Sequence, residues 1–474
     1  MSIGWKLHEG TLGPGDIVGP DERLSWPKTA GLGAQHVVAM FGATFVFPVL
    51  MGLNAQLSIM MSGIATICFL LIVKNKVPSY LGSSASFVGC VAAIRAQGGD
   101  SSTVTGAILV SGVVLMLVGI AIHFLGSRII HTLLPPVVTG AVVMLIGFNL
   151  ATVVANVYWP QDQWVALMVM VFAIACAVGL RGFLGRISIF LALIFGTAVS
   201  WVFDRVLGMI TSLDPSTGKI TEHFRVNWNG VTNASWFGLP PHTAMIGGHE
   251  IVGWHTPTLS TAAILLVLPA VIALIAENTG HVKAVAEMTG ADLDDVMGRA
   301  IAADGFGTIL ASAVGGSPTT TYAENIGVMA ATRVYSTAAY YVAAVVAILF
   351  GLSPKFGAFV AATPGGVLGG ITVILYGMIG LLGAKIWIEN GVDFANPVNL
   401  VPVAAGIVIA IGNTSLVFSK TFSLSGIALG TIVAVAAYHM AHALAPQHLK
   451  DSADGAVLQV LGSQDTQKEK VNVS

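Results

Sequence analysis

Between Lys28 and Lys74 the chain runs for 45 residues without an Asp, Glu, Lys or Arg. Soluble domains carry about 25% charged residues, so a run of this length has to leave water. It is long enough for two helical crossings of a bilayer at about 20 residues each. Further runs free of these four residues cover 101–127, 129–161, 163–180, 187–203, 251–276, 334–354, 356–384, 394–419 and 421–449, and 300–332 holds only Asp304 and Glu324. Splitting the runs at Gly and Pro clusters predicts an all-α polytopic membrane protein with about fourteen spans. The formal net charge is -2, which leaves no basic field for nucleic acid. Cys68, Cys90 and Cys176 lie far apart in apolar stretches and read as packing residues.

With both termini in the cytoplasm, Lys74, Lys76, Arg128, Arg181, Arg186, Lys283, Arg299, Arg333 and Lys385 fall inside and Arg95, Lys355 and Lys420 outside. That asymmetry is the one the positive-inside rule describes. The expected layout is a polar cytoplasmic tail at 1–27, spans 1–7 in 28–209, an extracytoplasmic linker at 210–257, spans 8–14 in 258–445 and a second polar tail at 446–474. Both tails read as disordered. The two halves echo each other. LPPVVTGAVVMLIG at 134–147 aligns with PGGVLGGITVILYG at 364–377, and Gly82-Ser83-Ser84 aligns with Gly316-Ser317-Pro318. Seven spans per half is an odd number, so duplicated halves insert with opposite orientation, giving a seven-plus-seven inverted repeat.

The second aligned pair is rich in Gly, Ser, Thr and Pro, with Pro78 and Pro318 at or near the starts, and is poorly suited to continuous helix. Short unwound segments are therefore expected in spans 3 and 10. Non-helical backbone at membrane depth is tolerated where it lines a cavity or is buried in protein, which makes such breaks the best pointer to a midplane site. Ionisable residues inside spans are costly and functional by default. Here they are His36, His123, Glu277, His281, Asp304 and Glu324. Glu277 and His281 are four apart and share one helical face, a spacing that suits a proton relay. Glu324 follows the irregular Thr319-Thr320-Thr321-Tyr322-Ala323 run. Two carboxylates beside free peptide groups suit a flat ligand with several N–H donors and carbonyls. Asp304, placed about a turn into its span, reads as a helix-end or supporting group. His36 either orients Glu277 or packs, and His123 reads as interfacial.

His249-Glu250 in GGHEIVGWH fails the zinc-protease spacing, no phosphate loop of the GxxxxGK[ST] type occurs, and no metal or cofactor is expected. The chain is read as a carrier rather than an enzyme, driven by ions or by diffusion.

Glu324-Asn325-x-Gly327-x-x-x-x-Thr332-Arg333, together with Gln35-His36, Tyr80-Leu81-Gly82-Ser83-Ser84 and the AENTGH segment at 276–281, resembles the nucleobase–ascorbate transporter family over roughly 25–445. Within it the chain looks most like bacterial uracil and pyrimidine permeases. The resemblance implies a core domain of spans 1–4 and 8–11, a gate domain of the rest, short β segments in spans 3 and 10, and a bacterial inner-membrane location. It also implies a dimer through the gate domains. The positions matching Glu277 and Glu324 would bind the base, backbone amides at Ala85 and Ala323 would add hydrogen bonds, and His281 would take part in proton coupling. His36, Gln35, Asn325, Asp304, Ser84 and Tyr322 would support the site. The expected activity is proton-coupled import of uracil, with room for thymine because uracil permeases carry Phe at the place of Ala85. Asp304 stands where they carry Asn and matches some purine carriers, so a xanthine or urate symporter is the alternative. An anion carrier of the related sulfate-transporter architecture is disfavoured, because the site offers carboxylates and no buried Arg.

Overall fold

The computed structural model describes residues 4–8, 16–126, 135–181, 183–214, 219–246, 249–419, 422–450 and 452–453. Arg128 and Lys420, which entered the charge count above, and most of the second tail lie outside these. Among the described residues seven helices are long and apolar enough to cross a membrane: Ala55–Ile72, Ser101–Leu125, Pro136–Gln161, Ser188–Val206, Thr261–Thr289, Gly365–Glu389 and Gly426–Leu444. Two bent pairs, Trp26–Ala39 with Thr44–Leu50 and Thr337–Gly351 with Pro354–Ala361, bring the number to nine. Ala85–Ala96, Gln163–Gly179 and Pro397–Ile411 are shorter apolar helices.

Local chemistry explains the boundaries. Asn54 accepts from the Leu57 amide, Asp100 from Thr103, and Asp162 from Trp164 and Val165, each satisfying donors that a helix start leaves free. Pro136 and Pro397 sit in first turns, where a missing N–H costs nothing. The first bend falls on a π-helical turn at Gly42–Val46 followed by Pro48, which cannot donate back into the preceding turn.

The helices sort into two packed groups. In the first, Ser101–Leu125 lies along Asp294–Ala313, and Thr337–Gly351 packs on both Trp26–Ala39 and Ala55–Ile72. In the second, Gly365–Glu389 packs on Pro136–Asn149 and Gln163–Gly179, and Pro397–Ile411 pairs with Gly426–Leu444. Without a hydrophobic drive in lipid, such helices adhere through close backbone approach. At the first crossing a Cβ on Gly119 would lie 2.2 Å from the Ala302 nitrogen, and one on Gly298 would lie 2.4 Å from that of His123. His123 itself is exposed in the last turn of its helix, as expected of an interfacial residue.

The linker folds. Ile210–Asp214 pairs antiparallel with Lys219–His223, and Thr243–Ile246 pairs with His249–Val252. Arg225 anchors it to the second group, with Nε 2.7 Å from Asp162 Oδ2 and Nη1 3.2 Å from Asp204 Oδ1. It also reaches the first group. The Gly238 amide donates to Leu352, Gln56 Nε2 to the Gly238 carbonyl, and Ser102 Oγ to the Thr256 carbonyl at 2.7 Å.

The described part of the first tail is ordered rather than loose, which corrects the expectation of disorder there. Lys6–Leu7 pairs in parallel with Glu22–Arg23, and Val18, fully buried, bridges to Val334. Trp5 Nε1 donates to Thr337 Oγ1 at 2.8 Å, and its ring meets Trp26 and Tyr341 edge-on. The composition of the tail is polar, but its few apolar residues find the connector between two helices and cover it. His8 Nδ1 lies 3.0 Å from Glu22 Oε2, and this contact with the Gly19 amide holds the Glu22 carboxyl below its ordinary range.

Two predictions follow from these contacts. A folded-state value lowered in this way adds stability above the ordinary carboxylate range and loses it as pH falls through and below that range. Tail docking, read by Trp5 fluorescence against a Trp26→Phe background, should therefore hold at neutral pH and loosen in acid, and Glu22→Gln should remove the acid transition. Gly119→Val should lower thermal stability of the detergent-solubilised protein by about 1–3 kcal/mol through overpacking; an unchanged melting temperature would contradict the close crossing.

Candidate functional site

Two unwound segments cross at the centre of the first helix group. Gly82–Ser83 pairs antiparallel with Thr319–Thr320, Gly82 opposite Thr320 and Ser83 opposite Thr319. The Ser84 amide donates to the Pro318 carbonyl at 2.9 Å, and the Ser83 and Ser317 hydroxyls meet at 2.5 Å. Hydroxyls from neighbouring helices take up the remaining main-chain groups. Ser62 donates to the Leu81 carbonyl, Thr66 Oγ1 accepts from the Leu81 amide at 2.9 Å, Thr308 Oγ1 donates to the Thr319 carbonyl at 3.0 Å, and Ser58 Oγ accepts from the Ser317 amide at 3.2 Å. A helix leads away from each segment, Ala85–Ala96 from the first and Ala323–Thr332 from the second.

Glu277 lies on Pro269–Thr289 where it meets this crossing. Ser86 Oγ donates to its Oε1 at 3.4 Å and Thr320 Oγ1 to its Oε2 at 3.3 Å. One carboxylate thus takes a hydroxyl from each broken segment. Glu324 stands in the first turn of Ala323–Thr332, where the helix dipole favours a negative group, and it is half-buried, as is Glu277. Tyr322 reaches back over the other segment. Its hydroxyl donates to the Ser83 carbonyl and accepts from the Ala85 amide at 3.2 Å. The Ala85 amide, expected to be available to a ligand, is thus engaged by a side chain.

The remaining expected residues occupy supporting places. His36 Nδ1 lies 3.1 Å from Asn325 Oδ1, with its ring against Tyr340, and Asn325 Nδ2 donates to the Tyr80 carbonyl at 2.7 Å. His36 therefore orients Asn325 and not Glu277, a correction that follows from Trp26–Ala39 packing on Ala323–Thr332. Gln35, one residue earlier, is half-buried. Asp304 sits near the middle of Asp294–Ala313 and is fully buried, not at a helix end; its Oδ2 accepts from Asn278 Nδ2 at 2.7 Å. It backs the residue next to Glu277. His281 shares the Glu277 face, but its Nε2 points to the Pro78 carbonyl at 3.2 Å and Nδ1 has no partner. No direct bond joins the two. Ser84 contributes its amide to the crossing, and Ala323 opens the second helix.

Thr320, Tyr80 and Asn278 lie in motifs named above but were given no role at the site, and Ser86 was not named at all. The density of Ser and Thr in the breaks, and Asn278 beside Glu277, were the signals available. No group of three or more His, Cys, Asp or Glu that could hold a metal occurs among the described residues.

A cavity of about 1220 Å³ lies apart from the two carboxylates, between Val49–Gly52, Val91, Arg95 and Ala361 of the first group, Tyr158–Asp162 and Pro364–Gly366 of the second, and linker residues His223–Asn229. Arg95 is nine residues beyond Ser86 along its half-helix, roughly 13 Å at 1.5 Å per residue. The cavity therefore approaches the crossing from the linker side without reaching Glu277.

A model of the Permease family, the xanthine/uracil permeases, matches residues 27–419. The chain belongs to the nucleobase–ascorbate transporter family. It is an integral membrane transporter and not an enzyme. Among the relatives of this transporter, "Putative pyrimidine permease RutG" of Escherichia coli (strain K12) is 43% identical over 438 residues, 91% of this chain and 93% of that one. "Uracil permease" of Bacillus subtilis (strain 168) is 33% identical over 458 residues, 94% and 97% of the two chains. Solved structures share the fold at low identity. The murine Slc26a9 anion transporter in the inward-facing state superimposes with a TM-score of 0.59 at 12% identity, covering 90% of this chain and 69% of that one. The transmembrane domain of the cyanobacterial bicarbonate transporter BicA gives 0.53 at 13%, covering 87% and 96%. Another SLC26A9 structure gives 0.55 at 12%, and this chain covers 88% of itself and 64% of that chain.

The hydrogen bonds of Asn325 predict a structural effect separable from any ligand. Asn325→Ala leaves the Tyr80 carbonyl and His36 Nδ1 buried without partners and should cost about 1–3 kcal/mol, read as a lower melting temperature. An unaltered melt would remove Asn325 from the framework.

Proposed function

We propose that this transporter imports a pyrimidine nucleobase, uracil and by extension thymine, together with protons across the bacterial inner membrane by alternating access. The observation that carries the reading is the Glu277 carboxylate, held by Ser86 from one broken segment and Thr320 from the other, with Glu324 four residues after Thr320 at the start of a half-helix. Carboxylates accept from the ring N–H groups of a base, and amides at helix starts donate to its carbonyls. Ala85 and Ala323 supply the amides in this reading. The uracil and pyrimidine names carried by relatives 33% to 43% identical support the same substrate class.

His281 is the proton-coupling partner of Glu277. Its Nδ1 is buried without a hydrogen-bond partner, four residues along the same helical face. A proton taken by His281 would reach Glu277 by way of a ligand or a small shift of the helix. Fourteen spans in a seven-plus-seven inverted repeat, with halves at 28–209 and 258–445 joined by the extracytoplasmic linker 210–257, form the frame. The tails 1–27 and 446–474 lie in the cytoplasm. The two helix groups act as core and gate, the first carrying the carboxylates past the second, and a dimer forms through the second.

The test is uptake of labelled uracil by bacteria lacking their own uracil permeases. Uptake should be abolished by a protonophore, blocked by excess thymine and little affected by xanthine. Glu277→Gln or Glu324→Gln should lower it by roughly tenfold to a hundredfold, the scale of a lost charged hydrogen bond, in protein that still inserts and folds. Wild-type rates in both variants would overturn the reading; block by xanthine and not thymine would move the substrate to purines.

A further inference from the structure

Ala85 opens the second half of its span, so its N–H is one that the helix itself cannot use. In the structure this N–H donates to Tyr322 Oη at 3.2 Å, while the same hydroxyl donates to the Ser83 carbonyl. A side chain from one broken segment therefore closes over the main chain of the other. An N–H carries one proton and makes one good bond, so it serves either the tyrosine or a carbonyl of an incoming base. The hydroxyl also has one proton, and that proton is committed to Ser83 in either case.

We infer that Tyr322 is a displaceable latch on the Ala85 amide, giving the amide up when a substrate carbonyl arrives and taking it back when the substrate leaves. The inference rests on the reading above that Ala85 donates to the base. Its consequence is a weakened but reversible site. Exchanging one neutral hydrogen bond for another is close to neutral in free energy, so the Ala85 contact orients the base while adding little to its affinity. Release is eased to the same degree, since the vacated amide regains a partner at once. Phe47, whose ring lies nearly parallel to that of Tyr322 with centroids 6.5 Å apart, flanks the side chain and confines its movement. Tyr322 acts here as a positioning residue, through the amide it covers.

The sign of the effect is set by counting bonds in the two states. Tyr322→Phe removes the bond to Ser83 from both the empty and the filled site, so that loss cancels. It removes the bond to Ala85 from the empty site alone. The KM for uracil should therefore fall, by roughly threefold to tenfold for a net neutral hydrogen bond, and the maximal rate should fall with it where release limits turnover. A merely structural loss would leave KM unchanged or raise it.

A second variant isolates the amide. Ala85→Pro deletes this N–H at the first helical position, where proline is tolerated, and the preceding Ser84 already has the extended backbone, φ −72 and ψ 124, that proline requires. In that background Tyr322→Phe should leave the uracil KM unchanged. The experiment measures uptake kinetics of the four proteins, with uracil binding to the purified full chain as the parallel reading. An unchanged or higher KM in Tyr322→Phe, or an equal fall in both backgrounds, overturns the latch. If the proline variant does not fold, the direction of the Tyr322→Phe change decides alone. Loss of uptake in Glu277→Gln and Glu324→Gln with no KM change in Tyr322→Phe would retain the base site and discard the latch; normal uptake in the two Gln variants would discard the site itself.

Discussion

Peptide groups that leave a helix inside a membrane have no water to turn to, and each one left unpaired costs several kcal/mol. Two segments of this chain leave the helix at the same depth, and they satisfy each other. The Gly82–Ser83 and Thr319–Thr320 pair, extended by the Ser84 bond to Pro318, is the smallest sheet that can do so. Its short edges are closed by hydroxyls of Ser58, Ser62, Thr66 and Thr308, all borrowed from continuous helices on either side. Remove the pairing and neither half-helix has a fixed origin, so every position in the candidate site depends on it.

The chemistry inherits this geometry. Strands that pass each other in opposite directions bring two helix starts to one place, and helix starts favour negative charge. Glu277 arrives there on an unbroken helix and is clasped by one hydroxyl from each side, so its carboxylate reports the spacing of the two segments. Asn325, with one arm on His36 and the other on the Tyr80 carbonyl, fixes the second half-helix to the first helix of the chain. Asp304 and Asn278 lie behind, where a buried carboxyl orients an amide on the Glu277 helix. A displacement of either segment is therefore felt at the carboxylate through two independent sets of bonds.

How much of this could be read in advance follows from what each feature is made of. Charge gaps are a property of composition along the chain, and Ala55–Ile72, Ser101–Leu125, Pro136–Asn149, Gln163–Gly179, Thr337–Gly351, Pro397–Ile411 and Gly426–Leu444 lie wholly within them; the Gly82 and Gly316 echo placed both breaks because Gly, Ser, Thr and Pro disfavour helix locally. The Glu277–His281 spacing was legible because helical periodicity is local. Side-chain partners were not legible, since they depend on how one helix is rotated against another. His36 turned to Asn325 rather than Glu277, Asp304 proved central rather than terminal, and Ala85 was found already bonded to Tyr322. The tail failed for a related reason: Trp5 and Val18 are too few to show as an apolar pattern, yet a preformed connector at 333–341 gives them a surface.

The linker shows how the two helix groups are constrained relative to each other. At Arg225 it is fixed to the second group by two carboxylates, with all three side chains at most 9% exposed, and the Arg225 and Val226 amides add bonds to Asp204. Charge-assisted bonds of this kind are roughly twice as strong as neutral ones. From Ser235 onward the hydrogen bonds are neutral and belong to the first group: the Lys355 amide to Ser235, Gly238 to Leu352, and Gln56 to Gly238, with the Lys355 ammonium over the Trp236 ring. Between these anchors stand residues 227–234, half of them exposed and half part-buried, with one short helix at Asn229–Asn233 that packs on Pro354–Ala361. Asn227–Asn229 also line the cavity between the two groups, so the piece of chain that joins the second group's anchor to the first group's also borders that space.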